Sequence, residues 1–139
     1  MSGRRVRMLT TVTRHADQRL RECAMGLAAL RGRIAELQAE RDTVIQRLHD
    51  EGRTGSLETA PYVGDFIRAM RAQQLRLDAR IALLETEAEA ATDELRLCYS
   101  DATAYGTVLD QVRTALARHR EMQDQAETTE QGLARWRIR

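Results

Sequence analysis

The chain has 139 residues, which is enough for one ordinary domain. Only 4% of them are aromatic, 31% are charged and one is proline, a composition typical of long helices and not of a layered compact fold. The formal net charge of +1 argues against a general nucleic-acid binder, because such proteins are usually strongly basic.

Location and redox state follow from the same composition. The chain shows no signal peptide and no apolar run of about 18 residues, so we expect a cytoplasmic protein without a membrane span. Cys23 and Cys98 are too few for a disulfide framework. Both fall on the apolar repeat described next, so we expect small seam residues with free thiols. A disulfide between them is the alternative.

The first half of the chain repeats apolar residues at alternating steps of three and four. Eleven of the thirteen positions are apolar, and Thr13 and Arg41 are the exceptions. A phase held over about six heptads predicts a coiled-coil seam, since a straight helix drifts by about 20° per heptad. We therefore predict a helix over about 4–50. Its seam positions are Val6, Leu9, Thr13, Ala16, Leu20, Cys23, Leu27, Leu30, Ile34, Leu37, Arg41, Val44 and Leu48.

A turn over about 51–60 separates this helix from a second one over about 61–136. Gly52 and Gly55 are predicted to end the first helix, Thr59 to cap the second and Pro61 to occupy its first turn. The second helix carries the same repeat, with Gln74 as its one polar member. Its seam positions are Ile67, Met70, Gln74, Leu77, Ile81, Leu84, Ala88, Ala91, Leu95, Cys98, Ala102, Tyr105, Leu109, Val112 and Leu116.

Because the turn is short, the two helices are predicted to be antiparallel neighbours. With the turn centred near residue 56, residue i should face residue 112 − i, and the first helix should run out opposite residues 106–108. About 30 residues, or roughly 45 Å of helix, would then extend without a partner. The repeat decays beyond Leu116, which agrees with this overhang. The predicted fold class is all-α: one long two-helix antiparallel coiled-coil hairpin, residues 1–139, with an overhanging C-terminal helix.

The sequence offers no catalytic constellation. The three histidines are widely spaced, no glycine-rich phosphate loop is present, and a two-helix coil has no apolar pocket in which to shift a carboxylate pKa. We therefore expect no enzyme activity, no cofactor and no metal site.

Two basic ends are the candidate partner-binding residues. Trp and Arg are enriched at protein-binding hot spots, and the only tryptophan lies at the free end of the second helix. Partner docking is the prediction, and a frayed tail is the alternative. The residues are Arg4, Arg5 and Arg7 at one terminus and Arg135, Trp136, Arg137 and Arg139 at the other.

Tyr62 and Phe66 follow the turn at a spacing of four. We expect them to close the hairpin tip over Leu48 and Leu57, with a partner contact as the alternative.

The pattern Tyr62-x-x-x-Phe66-Ile67, followed by Met70, Gln74 and Leu77, resembles the flagellar export protein FliJ and its injectisome counterpart, the YscO family. The resemblance covers nearly the whole chain, including the short polar turn and the longer second helix. It implies a cytoplasmic central stalk of a type III export ATPase, similar to the gamma subunit of rotary ATPases.

That resemblance implies three partners: the hexameric export ATPase, the export gate protein and export chaperones. The end bearing both termini would enter the ATPase ring, peripheral to the inner-membrane export machinery, through the basic residues named above. The protein should be monomeric when free. Two other hypotheses stay open: a generic coiled-coil scaffold or adaptor that self-associates through its overhang, and a DNA- or RNA-associated rod using its arginine-rich end.

Overall fold

Two long helices make up the structure, a computed structural model that describes residues 2–54 and 60–138, with side chains for 3–53 and 61–138. Helix α1 is Ser2–Thr54 and helix α2 is Ala60–Ile138. No strand occurs in these ranges, and the two helices pack against each other. The predicted all-α class is therefore confirmed.

Both helices are longer than the repeat predicts. Helix α1 continues through Gly52 to Thr54, and no glycine in the described ranges adopts positive φ. Gly52 therefore does not end the helix: glycine in a helix costs only about 1 kcal/mol relative to alanine. Pro61 is the second residue of α2, where its missing N–H needs no partner. Gly55, Leu57 and Thr59 lie outside the described residues.

The chain divides into two units, each of which combines a stretch of α1 with a stretch of α2. The terminal unit contains Met1–Arg21 and Leu97–Arg139, and the central unit contains Glu22–Arg96.

The heptad positions form the core of the central unit. Leu37, Val44, Leu77, Ile81 and Leu84 are buried together, and half-buried apolar residues from both helices pack around them. Removing each large apolar side chain from water contributes at most about 1.5–3 kcal/mol, so this layer holds the helices together in this unit. The half-buried members are Leu30, Ile34, Leu48 and Met70.

The register of the central unit differs from the prediction by one heptad. Arg41 was predicted to face residue 71, but its Nη1 lies 3.6 Å from Oδ1 of Asp78. The seam phase is unchanged because a shift of seven residues returns every apolar position to the same face. The periodicity therefore fixes which residues face the partner helix but not which heptad they meet.

The terminal unit is displaced from the predicted register in the same direction. Arg113 Nη2 donates a hydrogen bond of 3.4 Å to Thr10 Oγ1, where residue 102 was expected opposite Thr10. Arg5 lies beside Val112 and His119 and not beside residue 107. Pairing in this unit thus continues to residues 116–119, so the predicted end at 106–108 was wrong.

Burial along the terminal unit follows the predicted seam. Ala16, Cys98, Ala102 and Leu109 are buried, whereas every described residue from 117 to 138 is exposed. The decay of the repeat beyond residue 116 therefore marks where burial ends.

One seam residue of this unit, Thr13, buries its hydroxyl oxygen without a hydrogen-bond partner in the described part of the chain. Such a group costs about 1–3 kcal/mol, so this position weakens the seam.

Candidate interaction surfaces

The C-terminal stretch of α2 is exposed along all of its described residues. Residues 117–138 continue the helix beyond the seam, and the hydroxyls of Thr128 and Thr129 donate to the carbonyls of Asp124 and Gln125 at 2.8 and 2.9 Å. These bonds are made within one helix. Arg5 of α1 reaches His119 at the start of the stretch, but every described residue of the stretch is exposed, so its surface is accessible to a partner.

The predicted hot-spot residues lie at the end of this stretch. The Trp136 side chain is 77% exposed, and both of its arginine neighbours, Arg135 and Arg137, are exposed. A large ring that is left in water while cations flank it has the composition of a protein-binding anchor. Arg139, the last predicted member, lies outside the described residues.

The N-terminal arginines occupy a different level of the same unit. Arg4, Arg5 and Arg7 are exposed, and Arg5 borders a shallow depression with Val112, Ala115, Leu116 and His119. Twenty residues of helix separate Leu116 from Trp136, which corresponds to about 30 Å. The two basic segments therefore belong to one unit but do not form one cluster, and a single partner would have to span both levels.

A second depression of about 150 Å³ opens nearer the other end of this unit. Val12, Ala16 and Cys98 form its apolar part, with polar side chains at the rim. The rim residues are His15, Arg19, Asp101 and Tyr105. Among the described residues, no group of three or more His, Cys, Asp and Glu side chains is placed to hold a metal ion. Cys98 is buried and Cys23 is half-buried, as predicted for seam residues.

The two rings that follow the turn differ in exposure. Phe66 is half-buried, whereas Tyr62 is 78% exposed. Leu57, the predicted contact across the tip, lies outside the described residues. The exposure of Tyr62 favours the partner-contact alternative for that ring.

The structure also reveals a surface that the seam pattern did not identify. On the outer face of α2, a second apolar stripe begins before the seam ends and continues to the C-terminal end of the helix. All of its members are exposed. Steps of three and four from Ala104 meet ten positions to Trp136, of which seven are apolar and Gln111, Arg118 and Thr129 are polar. We call the apolar set the outer stripe; it contains Ala104, Val108, Ala115, Met122, Ala126, Leu133 and Trp136.

Comparisons with known proteins add no assignment: no family model, no curated protein and no solved structure matches the chain. In the described ranges, neither helix has a segment that is long and apolar enough to cross a bilayer.

Proposed function

We propose that the protein is a non-enzymatic stalk or adaptor of a bacterial type III protein export apparatus, either flagellar or injectisome. In this proposal α1 and α2 pair as an antiparallel coiled-coil hairpin, and residues 117–138 overhang it. Docking of the basic terminal end on the hexameric export ATPase ring is its central activity. Contacts with the export gate and with export chaperones, at the cytoplasmic side of the inner membrane, complete the proposal.

The antiparallel arrangement is supported by the direction of pairing within the terminal unit. Arg5 lies beside residues 112–119, whereas residues 12–19 border a depression with residues 98–105. Residue numbers thus fall along one helix as they rise along the other.

One observation carries the docking proposal: α2 outlasts its seam and ends in an exposed tryptophan between two arginines. A helix end that buries no residue contributes little to its own unit, and a 77% exposed indole is unfavourable in water unless a partner covers it. Arginines beside the indole would speed and orient docking on a hexameric ATPase whose pore loops are acidic. An enzymatic role has no comparable support, so the partner and not this chain would hydrolyse nucleotide.

The test uses the full-length protein and the export ATPase encoded nearest to its gene. ATP hydrolysis should rise when the protein is added, and the emission of Trp136, the only tryptophan, should shift to shorter wavelength on docking. Trp136→Ala should raise the protein concentration that gives half-maximal stimulation by at least about tenfold. This is the loss expected for a hot spot of at least about 1.4 kcal/mol.

Tyr99→Ala is the matched control, since Tyr99 is another exposed ring on α2, 63% exposed, away from the helix end. It should leave stimulation unchanged. The proposal would be contradicted if the two substitutions changed the stimulation equally, or if the wild-type protein did not stimulate ATP hydrolysis.

A further inference from the structure

The outer stripe of α2 is complementary to itself when it is paired antiparallel, and we infer that it forms a dimer between two copies of this chain. The stripe has members that are apolar yet exposed: Val108 is 39%, Leu133 50% and Met122 69% exposed. It lies about 110° around α2 from the seam and wholly within the terminal unit. Burial of this apolar face against a partner would be favourable. The order of its residues matches a second copy of the same face.

Size complementarity is the first argument. In a two-fold antiparallel pair centred near residue 120, Ala104 lies opposite Trp136, Val108 opposite Leu133, and Ala115 opposite Ala126. The largest side chain thus meets a small one, and the two branched side chains meet each other. Interdigitating large and small residues is how paired helices fill the space between them.

Charge complementarity is the second argument. At about 100° per residue, Asp101 and Arg137 lie on one flank of the stripe and Glu121 lies on the other, while Arg118 lies within the stripe, opposite Met122 of the second copy. A two-fold antiparallel pair brings each flank against the same flank of the second copy. In the register set by the apolar residues, Asp101 meets Arg137 and Arg118 meets Glu121. Asp101 therefore faces Arg137 twice per dimer, whereas Glu121 lies near the two-fold axis and faces both Glu121 and Arg118 of the second copy.

Area decides what strength to expect. Residues 104–136 span about 50 Å of helix, and a helix is about 10 Å wide, so each copy contributes a footprint of roughly 500 Å². The total of about 1,000 Å² lies at the small end of specific interfaces, which predicts a reversible, concentration-dependent dimer. The pairing also covers Trp136, so dimerisation and docking on another protein would compete for the same surface.

Sedimentation of the full chain over about 1 μM to 1 mM tests the inference, since a Kd of 1 mM still corresponds to about 4 kcal/mol of association. The mass should rise from 15.8 kDa towards twice that value, and Trp136 emission should shift to shorter wavelength over the same range. Val108→Glu should raise the Kd by at least about tenfold, because it sets a carboxylate against Leu133.

The decisive variant is Val108→Arg combined with Leu133→Glu, which should restore dimerisation to within a few-fold of wild type. The two positions are 25 residues apart on one helix, about 38 Å, so only contact between copies can rescue. Tyr99→Glu, on the same helix but off the stripe, is the matched control and should leave the Kd unchanged. Circular dichroism of each variant separates dissociation from unfolding.

A chain that stays monomeric throughout the concentration range overturns the dimer. A dimer that ignores Val108→Glu, or is not rescued by the double variant, overturns this pairing. The docking proposal is judged separately by ATPase stimulation, and Val108→Glu should retain that stimulation because it leaves the arginine-flanked tryptophan intact.

Discussion

Reversing the charge of Arg41 tests the register of the central unit. In the observed register this seam residue meets Asp78, whereas a slip of one heptad towards the turn would set it against Arg71. Arg41→Glu exchanges these situations: the new carboxylate meets Asp78 in the observed register and Arg71 in the slipped one. The substitution therefore destabilises the native pairing and favours its competitor at the same time.

The expected size follows from exposure. The side chains of Arg41 and Asp78 are 31% and 42% exposed, so their attraction should resemble that of a surface pair, at most about 1 kcal/mol. Replacing that attraction with a repulsion of similar size gives a loss of about 1–2 kcal/mol. For a chain of this length, about 2–4 °C of melting temperature is lost per kcal/mol.

Urea unfolding of wild type, Arg41→Glu, Asp78→Arg and the double variant completes a double-mutant cycle. The double variant should recover most of the stability that the single variants lose. Arg33→Glu is the matched control: Arg33 pairs with Glu36 at 3.0 Å, within one turn of the same helix. It should cost less than about 0.5 kcal/mol. If the double variant is no more stable than expected from adding the two single-variant changes in unfolding free energy, the assigned register is refuted.

Four further outcomes are expected. Deleting residues 117–139 should change the melting temperature of the remaining chain by only about 2 °C while abolishing partner binding; a large loss of stability would show that this stretch packs on the seam. Leu30→Asp should strongly lower helicity measured by circular dichroism, since it places a charge in the central seam. Thr13→Val should raise unfolding free energy by about 1 kcal/mol by removing the unpaired hydroxyl. Gly132→Ala should raise helix content without clashes, because a Cβ there meets no atom within 4 Å.

The sequence predicted the seam well because burial in paired helices follows a fixed period. All thirteen seam positions predicted on α1 are buried or half-buried, including the polar Thr13 and Arg41. On α2 the same holds for all fifteen except Tyr105, which is 41% exposed.

The register could not be obtained in the same way. Registers that differ by seven residues place identical apolar faces together, so the choice depends on side-chain pairs such as Arg41 with Asp78 and on the path of the turn. The prediction assumed a symmetric turn near residue 56. Helix α1 instead continues past Gly52, which shows that a glycine alone does not specify a helix end.

The candidate site was partly predictable for a related reason. Composition identified Trp136 and the flanking arginines, because a lone tryptophan near a chain end stands out without any geometry. The outer stripe was not predicted because the heptad repeat of the seam was the only apolar repeat considered. Arg118 lies between Ala115 and Met122 and interrupts the stripe, so its period is less regular than that of the seam.

The exposure of every described residue beyond Leu116 has a consequence for how the helix end opens and closes. Its amide protons should exchange with solvent much faster than those beneath Leu109, since isolated helices of this length are marginal in water and the Thr128 and Thr129 hydroxyls compete for backbone carbonyls. Any molecule that binds this end as a helix must therefore also stabilise its helical conformation. Slowed hydrogen exchange confined to these amides would report binding even where no large shape change occurs.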